Sequence, residues 1–251
     1  MNYMLLKFFR SLFGLWAALI FSISMILAGV FYFVIFSTCS SGKAPHIAHG
    51  KVSRIWAGFL LFCYGIRLHI KNENVLERNT TYVFVANHRS MLDIPAYALA
   101  CHHTFRFLAK AELMKIPVLG YIIRKLYISV DRKNKEARVK SMENMNRSIR
   151  DGISVFICPE GTRNKTNDPL LSFHDGAFRL AISAQVPLAV LTILHSGKLL
   201  SPNQPLEMRP GTIDCVWAPV IETKGLTEKD IPMLKQQVID IMEKELLKSS
   251  Y

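Results

Sequence analysis

Tyr82-Val83-Phe84-Val85-Ala86-Asn87-His88-Arg89-Ser90-Met91-Leu92-Asp93 changes from apolar to polar within one residue. Its first five residues are β-branched, aromatic or small, and read as a buried strand. A helix-start signal follows at once, so His88 is placed at a strand's carboxyl end, where open α/β sheets bind ligands. A histidine near neutral pH can take a proton from a hydroxyl. It does so better when a carboxylate fixes its tautomer. Asp93 lies five residues on, about 140° around a continuous helix, so the two would not share a face. They meet only if the chain turns between them, with His88 before the helix and Asp93 at its start. A purely structural reading competes. Ser90-x-x-Asp93 matches a capping box, and Thr227-Glu228-Lys229-Asp230-Ile231-Pro232 repeats the pattern with no histidine nearby. Proline suits a first turn, which suggests Asp93 and Asp230 as the caps themselves.

The 251 residues allow one α/β domain with an appendage. The alternation after residue 70 predicts a mixed, mostly parallel sheet with helices on both faces. Strands are expected at Tyr82–Ala86, Phe105–Ala109, Tyr127–Val130, Ile153–Cys158, Leu188–His195 and Ile213–Val220. Helices are expected at Ile94–Cys101, Leu119–Leu126, Asn134–Arg150, Gly176–Gln185 and Ile231–Leu247. The five cysteines are scattered and form no Cys-x-x-Cys pair, which argues against a disulfide framework or a zinc site. His46 and His49 have helical spacing but no accompanying carboxylate or cysteine, so no metal is expected.

Net charge is +12, and its distribution is uneven. Residues 1–70 hold six basic residues and no acid, and Arg106–Lys140 holds ten basic residues against three acidic ones. One basic region in each half suits an anionic membrane surface and an anionic substrate. Ser11 to Gly42 carries no charge. Leu12 to Phe36 would form a helix about 37 Å long, enough to cross a bilayer core with some tilt. It is too long for a secretory h-region and is read as retained. Ile55–Ile66 is apolar but too short to span. It reads as an interfacial or re-entrant helix, with Trp56 and Tyr64 at headgroup depth.

Two further constellations carry chemistry. Pro159-Glu160-Gly161-Thr162-Arg163 follows the strand at 153–158. Proline and glycine there set a tight turn that exposes backbone N–H groups. Arg163 offers a planar fork suited to a phosphate, and Thr162 a hydroxyl. Glu160 would repel a phosphate, so it is expected to hold Arg163 or a substrate hydroxyl and to organise the loop. Lys110 and Arg132 place cations at strand ends on the His88 edge.

His88-x-x-x-x-Asp93 followed about 70 residues later by Pro159–Arg163 resembles the glycerolipid acyltransferase family, and within it the lysophosphatidic acid acyltransferases (1-acyl-sn-glycerol-3-phosphate acyltransferases). The resemblance runs from about Ile70 to Val220. It implies acyl transfer from acyl-CoA or acyl-carrier protein to the 2-hydroxyl of lysophosphatidic acid. His88 would be the base, oriented by Asp93, and backbone N–H groups near the His88 loop would hold the oxyanion. Glu160, Gly161, Thr162 and Arg163 would bind the acceptor headgroup, with Lys110 and Arg132 contributing from the middle motif. It also implies a membrane element at 1–69, with helices at about 11–38 and 53–66, and an acyltransferase domain at 70–251. The acyl donor is a co-substrate, and no cofactor or nucleic acid is called for. A bacterial inner membrane with the catalytic domain on the cytoplasmic side is the expected location.

The chain departs from the family pattern at Cys158, where an aromatic is usual, and at Val186-Pro187-Leu188-Ala189-Val190, which lacks a second proline. Two other readings stand beside this one. The acceptor could be glycerol 3-phosphate or another lysophospholipid. The chain could also be a non-enzymatic, membrane-tethered protein that binds anionic lipid.

Overall fold

The computed structural model describes residues 3–131 and 134–248. Seven strands form its central sheet: β1 (Ile66–Lys71), β2 (Val83–Ala86), β3 (Phe105–Lys110), β4 (Ile128–Val130), β5 (Ser154–Ile157), β6 (Leu188–Leu194) and β7 (Gly211–Trp217). Their order is β1-β7-β6-β2-β5-β3-β4. Every neighbouring pair is parallel except β6 with β7. The carboxyl ends of β6, β2, β5, β3 and β4 therefore share one edge. The helices are α1 (Tyr3–Thr38), α2 (Ala44–Ile47), α3 (Arg54–Cys63), α4 (Asp93–Ala100), α5 (Leu119–Leu126), α6 (Lys135–Arg150), α7 (Gly176–Ala184), α8 (Ser196–Leu199) and α9 (Ile231–Lys248). This is the mixed, mostly parallel sheet flanked by helices that the alternation predicts.

All four residues of β2 are buried, because both faces of a parallel sheet are covered. Phe84 and Ala86 face an aromatic core with Tyr97, Phe105, Phe156 and Trp217, closed by α3 and α4. Val83 and Val85 face an aliphatic core with Leu180, Leu234 and Val238, closed by α6, α7 and α9.

The sheet begins earlier than the boundary expected at residue 70. Strand β1 starts at Ile66 and pairs in parallel with β7 over six residues. The apolar run at 55–66 conceals the transition, which Gly65 marks. It has φ +61°, a left-handed conformation open to glycine, and it separates α3 from β1.

Helix α1, about 54 Å long, runs along the domain rather than away from it. Lys7 Nζ lies 3.5 Å from Glu207. The Met208 N–H donates to the Arg10 carbonyl at 3.3 Å. Trp56 Nε1 donates to Ser24 Oγ at 2.9 Å, and Tyr32 Oη is 2.7 Å from Ser53 Oγ. The face turned inward carries Gly14, Ala17, Ser24, Ala28, Gly29 and Tyr32, all buried. Fifteen large apolar side chains of α1, from Met4 to Val34, face outward and are exposed. Ile55, Phe59 and Phe62 of α3 are exposed too. An apolar surface on this scale calls for a non-aqueous surrounding. Trp56 and Tyr64 do not sit at headgroup depth with their polar atoms outward. Trp56 stacks on Phe21 at 5.7 Å, and Tyr64 Oη donates to the Ala17 carbonyl at 3.2 Å. Buried ring N–H and O–H groups need acceptors, and α1 supplies them.

Gly14 is where the helix backbone comes closest to the domain. A Cβ there would lie 1.8 Å from the Leu206 carbonyl oxygen. Gly14→Ala should therefore part the start of α1 from residues 206–208. Overpacking of this kind costs about 1–3 kcal/mol and should lower Tm in detergent by about 2–10 °C. Limited proteolysis should open a new site between 200 and 210. An unchanged Tm and unchanged protection would contradict this packing.

Candidate active site

The chain between His88 and Asp93 makes the bend that the dyad requires. His88 Nδ1 lies 2.9 Å from Asp93 Oδ2. The same oxygen accepts the backbone N–H groups of Arg89 and Ser90, both at 2.8 Å. Asp93 is fully buried, and among the described residues its Oδ1 has no partner. Three donors on one oxygen offset the cost of burying that charge. A carboxylate only accepts, so Nδ1 carries the proton and Nε2 is the basic nitrogen. Among the described residues no hydrogen bond to Nε2 is formed, and the His88 side chain keeps 17% of its exposure.

Asp93 is not the cap that its sequence pattern suggested. Leu92 precedes the first turn of α4 without a side-chain cap, and the Asp93 carboxylate reaches back into the bend. The second copy of the pattern behaves as a plain capping box. Asp230 is solvent-facing and accepts from the Thr227 N–H at 2.7 Å, with no histidine at hand. Ser90 belongs to the bend as well. Its hydroxyl donates to the Leu200 carbonyl at 2.8 Å and accepts from the Leu92 N–H at 3.2 Å.

Glu160 plays a different part from the one expected. It is 3% exposed and reaches neither Arg163 nor solvent. Its Oε1 accepts the His88 N–H at 2.7 Å, and its Oε2 accepts the Leu171 N–H at 2.9 Å. It thus ties the loop after β5 to the loop after β2. Burial pushes its carboxyl above the ordinary value of 4.5, against the pull of the two amides. The N–H groups of His88, Arg89 and Ser90 are all committed to carboxyl groups, so an oxyanion would have to be held by amides other than these three.

The turn after β5 forms as its residues dictate. The Gly161 N–H donates to the Cys158 carbonyl at 2.9 Å, and Gly161 has φ +72°, which only glycine adopts freely. Thr162 is exposed and Arg163 half-buried. Among the described residues neither the Arg163 guanidinium nor the amides of Thr162 and Arg163 have a partner. The next amide, Asn164 N–H, donates to the His88 carbonyl at 2.8 Å, which brings this loop against the histidine. Lys110 lies at the end of β3 on the same edge, exposed and 3.2 Å from Glu112. Arg132 lies outside the described residues. His46 and His49 diverge: His46 Nδ1 is 2.8 Å from Thr104 Oγ1, whereas His49 is buried with its ring centroid 4.1 Å from that of Phe105.

Two residues of the site escape a sequence reading. Asn87 continues the β2–β6 ladder with its side chain, giving Nδ2 to the Ile193 carbonyl at 2.9 Å and taking the Ile193 N–H on Oδ1 at 2.7 Å. That frees the Asn87 carbonyl to accept the Tyr97 hydroxyl. Tyr97 is fully buried, and burial raises its hydroxyl well above the ordinary 10.0, so it remains a donor. The available signals are a polar amide at the end of an all-apolar strand and a tyrosine four residues after Asp93, on the same face of α4.

A strand-end histidine held by a buried carboxylate, beside a turn with an unpaired guanidinium, is a site for moving a proton near an anionic ligand. Comparison with known proteins agrees. The sequence model of the family described as Acyltransferase matches residues 67–194. The chain belongs to this acyltransferase family, as the two motifs imply. It is 29% identical to an uncharacterized acyltransferase of Schizosaccharomyces pombe over 206 residues, 81% of this chain and 74% of that protein. It is 30% identical to the human 1-acyl-sn-glycerol-3-phosphate acyltransferase beta over 178 residues, 69% of this chain but 62% of that protein's length. The crystal structure of the 1-acyl-sn-glycerophosphate acyltransferase PlsC from Thermotoga maritima superposes with a TM-score of 0.80 at 22% identity, covering 96% of this chain and 97% of that one. It shares the fold.

Glu160 offers a check with a defined sign. The raised folded-state pKa means that the native state binds more protons than the unfolded chain just above pH 4.5. Its contribution therefore falls as pH rises through that window. Glu160→Gln removes the titration and leaves one of two buried amides facing an NH₂ group, at a cost of about 1–3 kcal/mol. In denaturant unfolding the variant should be less stable than wild type, with a deficit that shrinks as pH rises from about 4.5. A deficit that stays constant or widens would contradict the burial described.

Proposed function

We propose that the protein transfers an acyl group from a thioester, acyl-CoA or acyl-carrier protein, to the 2-hydroxyl of lysophosphatidic acid, giving phosphatidic acid. The observation that carries this reading is the His88–Asp93 pair, with Nε2 free, joined through Glu160 and Asn164 to a turn whose Arg163 is unpaired. His88 Nε2 takes the hydroxyl proton as that oxygen attacks the thioester carbonyl. The C–O bond forms, the C–S bond breaks, and the proton leaves with the departing thiolate. Asp93 holds the imidazole in the right tautomer and stabilises the imidazolium that forms. The Arg163 guanidinium and the amides of Thr162 and Arg163 hold the acceptor phosphate. Glu160 keeps that turn in register with His88 without touching substrate. Lys110 lends positive potential to the same sheet edge.

The relatives that carry this activity by name support the choice of acceptor, and so does the basic balance of residues 106–140. The outward apolar faces of α1 and α3 support a membrane location. Because the domain packs along α1 from Lys7 to Phe33, about 39 Å, we read both helices as lying within one leaflet rather than crossing. The acyl chain of the substrate then stays in lipid while its headgroup reaches the sheet edge. A cytosolic thioester would place that edge on the cytoplasmic side.

The test is acyl transfer in detergent micelles with defined acceptors. His88→Ala should lose about 10²–10⁴-fold in kcat, and activity within tenfold of wild type would end the assignment. Arg163→Ala should raise KM for lysophosphatidic acid about 10–100-fold and leave KM for a phosphate-free monoacylglycerol unchanged. Equal effects on both acceptors would remove the phosphate role.

A further inference from the structure

Strand β2 has β5 on one side and β6 on the other, so His88 is flanked by two loops, and the phosphate turn accounts for only one of them. Between the loop after β5 and the loop after β6 the structure has a cavity of about 390 Å³. Its wall contains Arg89, the residue after the candidate base, together with Lys165, Lys198, His195, Asn164 and Asn203. No Asp or Glu among the described residues lines it.

Among the described residues Arg89 forms no ion pair within 4.0 Å, although it acts on the buried Glu160 carboxyl from farther off. Its Nη2 donates to the carbonyls of Thr166, at 3.1 Å, and Asp168, while its Nε is buried and has no partner among the described residues. Asp168 lies 3.5 Å from Thr166 Oγ1, and Asp214 is shared between His69 and His195 at 3.3 and 3.4 Å. Three cations, an imidazole and three amide side chains (Asn164, Asn167 and Asn203) around one cavity make a site for a polyanion that also carries polar groups. The volume falls within the range of about 300–1,000 Å³ typical of small-molecule sites. It would hold a phosphorylated headgroup, not a whole acyl thioester.

We propose that this cavity binds the phosphate end of the acyl donor, a phosphopantetheinyl thioester. The inference rests on the acyl-transfer reading above. It assigns the two reactants to neighbouring sites: the acceptor phosphate to the turn at Pro159–Arg163, and the donor phosphate to the cavity between the loops after β5 and β6. The thioester and the hydroxyl then meet at His88. Phosphates of this kind come either from coenzyme A or from the prosthetic arm of a carrier protein.

The test uses the full-length protein in detergent with the exposed pair reversed, K165E/K198E, neither residue having a part in the catalytic bend. KM is measured for acyl-CoA, for acyl-carrier protein and for lysophosphatidic acid, and 3′,5′-ADP is tested as an inhibitor. Donor KM should rise by about tenfold or more while acceptor KM and kcat stay within about twofold. Where acyl-CoA is the donor, competitive inhibition by 3′,5′-ADP should weaken in parallel. Where only acyl-carrier protein reacts, the same rise in its KM with 3′,5′-ADP inert supports the site with the carrier as its source. An unchanged donor KM, or a rise in acceptor KM instead, overturns this inference alone. A wild-type protein that transfers no acyl group from either donor overturns the functional reading and this inference with it.

Discussion

One carboxylate oxygen organises the centre of this protein. Asp93 Oδ2 accepts from the imidazole Nδ1 of His88 and from the amides of Arg89 and Ser90, all within 2.9 Å. Five residues separate the partners, and a helix would hold them on different faces. The three hydrogen bonds are what keep the chain bent, and the bend is what lets the pair form. Because Asp93 is fully buried, the carboxylate has no solvent to fall back on, so losing these donors would strand a charge. Shape and chemistry here depend on the same atom.

The surroundings reinforce that bend from three directions. Asn87 fastens its start to β6, Glu160 fastens the His88 amide to the turn after β5, and Ser90 fastens its end to Leu200. The aromatic core beneath, with Tyr97 tilted against Phe156 at a ring-centroid distance of 4.7 Å, gives α4 a rigid seat. The sheet topology supplies the rest. Five strands end on one edge, so loops far apart in sequence converge beside the histidine. On the outside, α1 inverts the pattern of a soluble helix, with small residues inward and large apolar ones outward. The same helix that completes the fold therefore presents a continuous apolar surface outward.

Much of this was legible from residues alone. The strand into His88, the need for a bend before Asp93, the turn at Pro159–Arg163 and the long apolar helix all follow from periodicity, helix geometry and turn chemistry. What was not legible depends on long-range partners. Glu160 reads as a surface acid of a phosphate loop until its two amide partners, 72 and 11 residues away in sequence, are seen to take both its oxygens. The amides of His88, Arg89 and Ser90 are taken by two buried carboxyl groups, which no local pattern reveals. Trp56 and Tyr64 look like interfacial anchors, yet they turn inward because α1 offers acceptors. β1 was concealed because its first residue, Ile66, closes the apolar run that holds α3, with only Tyr64 and Gly65 between the two elements.

The most direct test of the central claim is the ¹⁵N NMR spectrum of the His88 imidazole in detergent micelles near neutral pH, in wild type and in Asp93→Asn. The bend described here requires the neutral ring to be protonated on Nδ1 in wild type, with its proton shifted downfield by the carboxylate. That tautomer should be lost when Asp93 becomes an amide. A wild-type ring protonated mainly on Nε2, or a spectrum that does not respond to the substitution, would contradict the account.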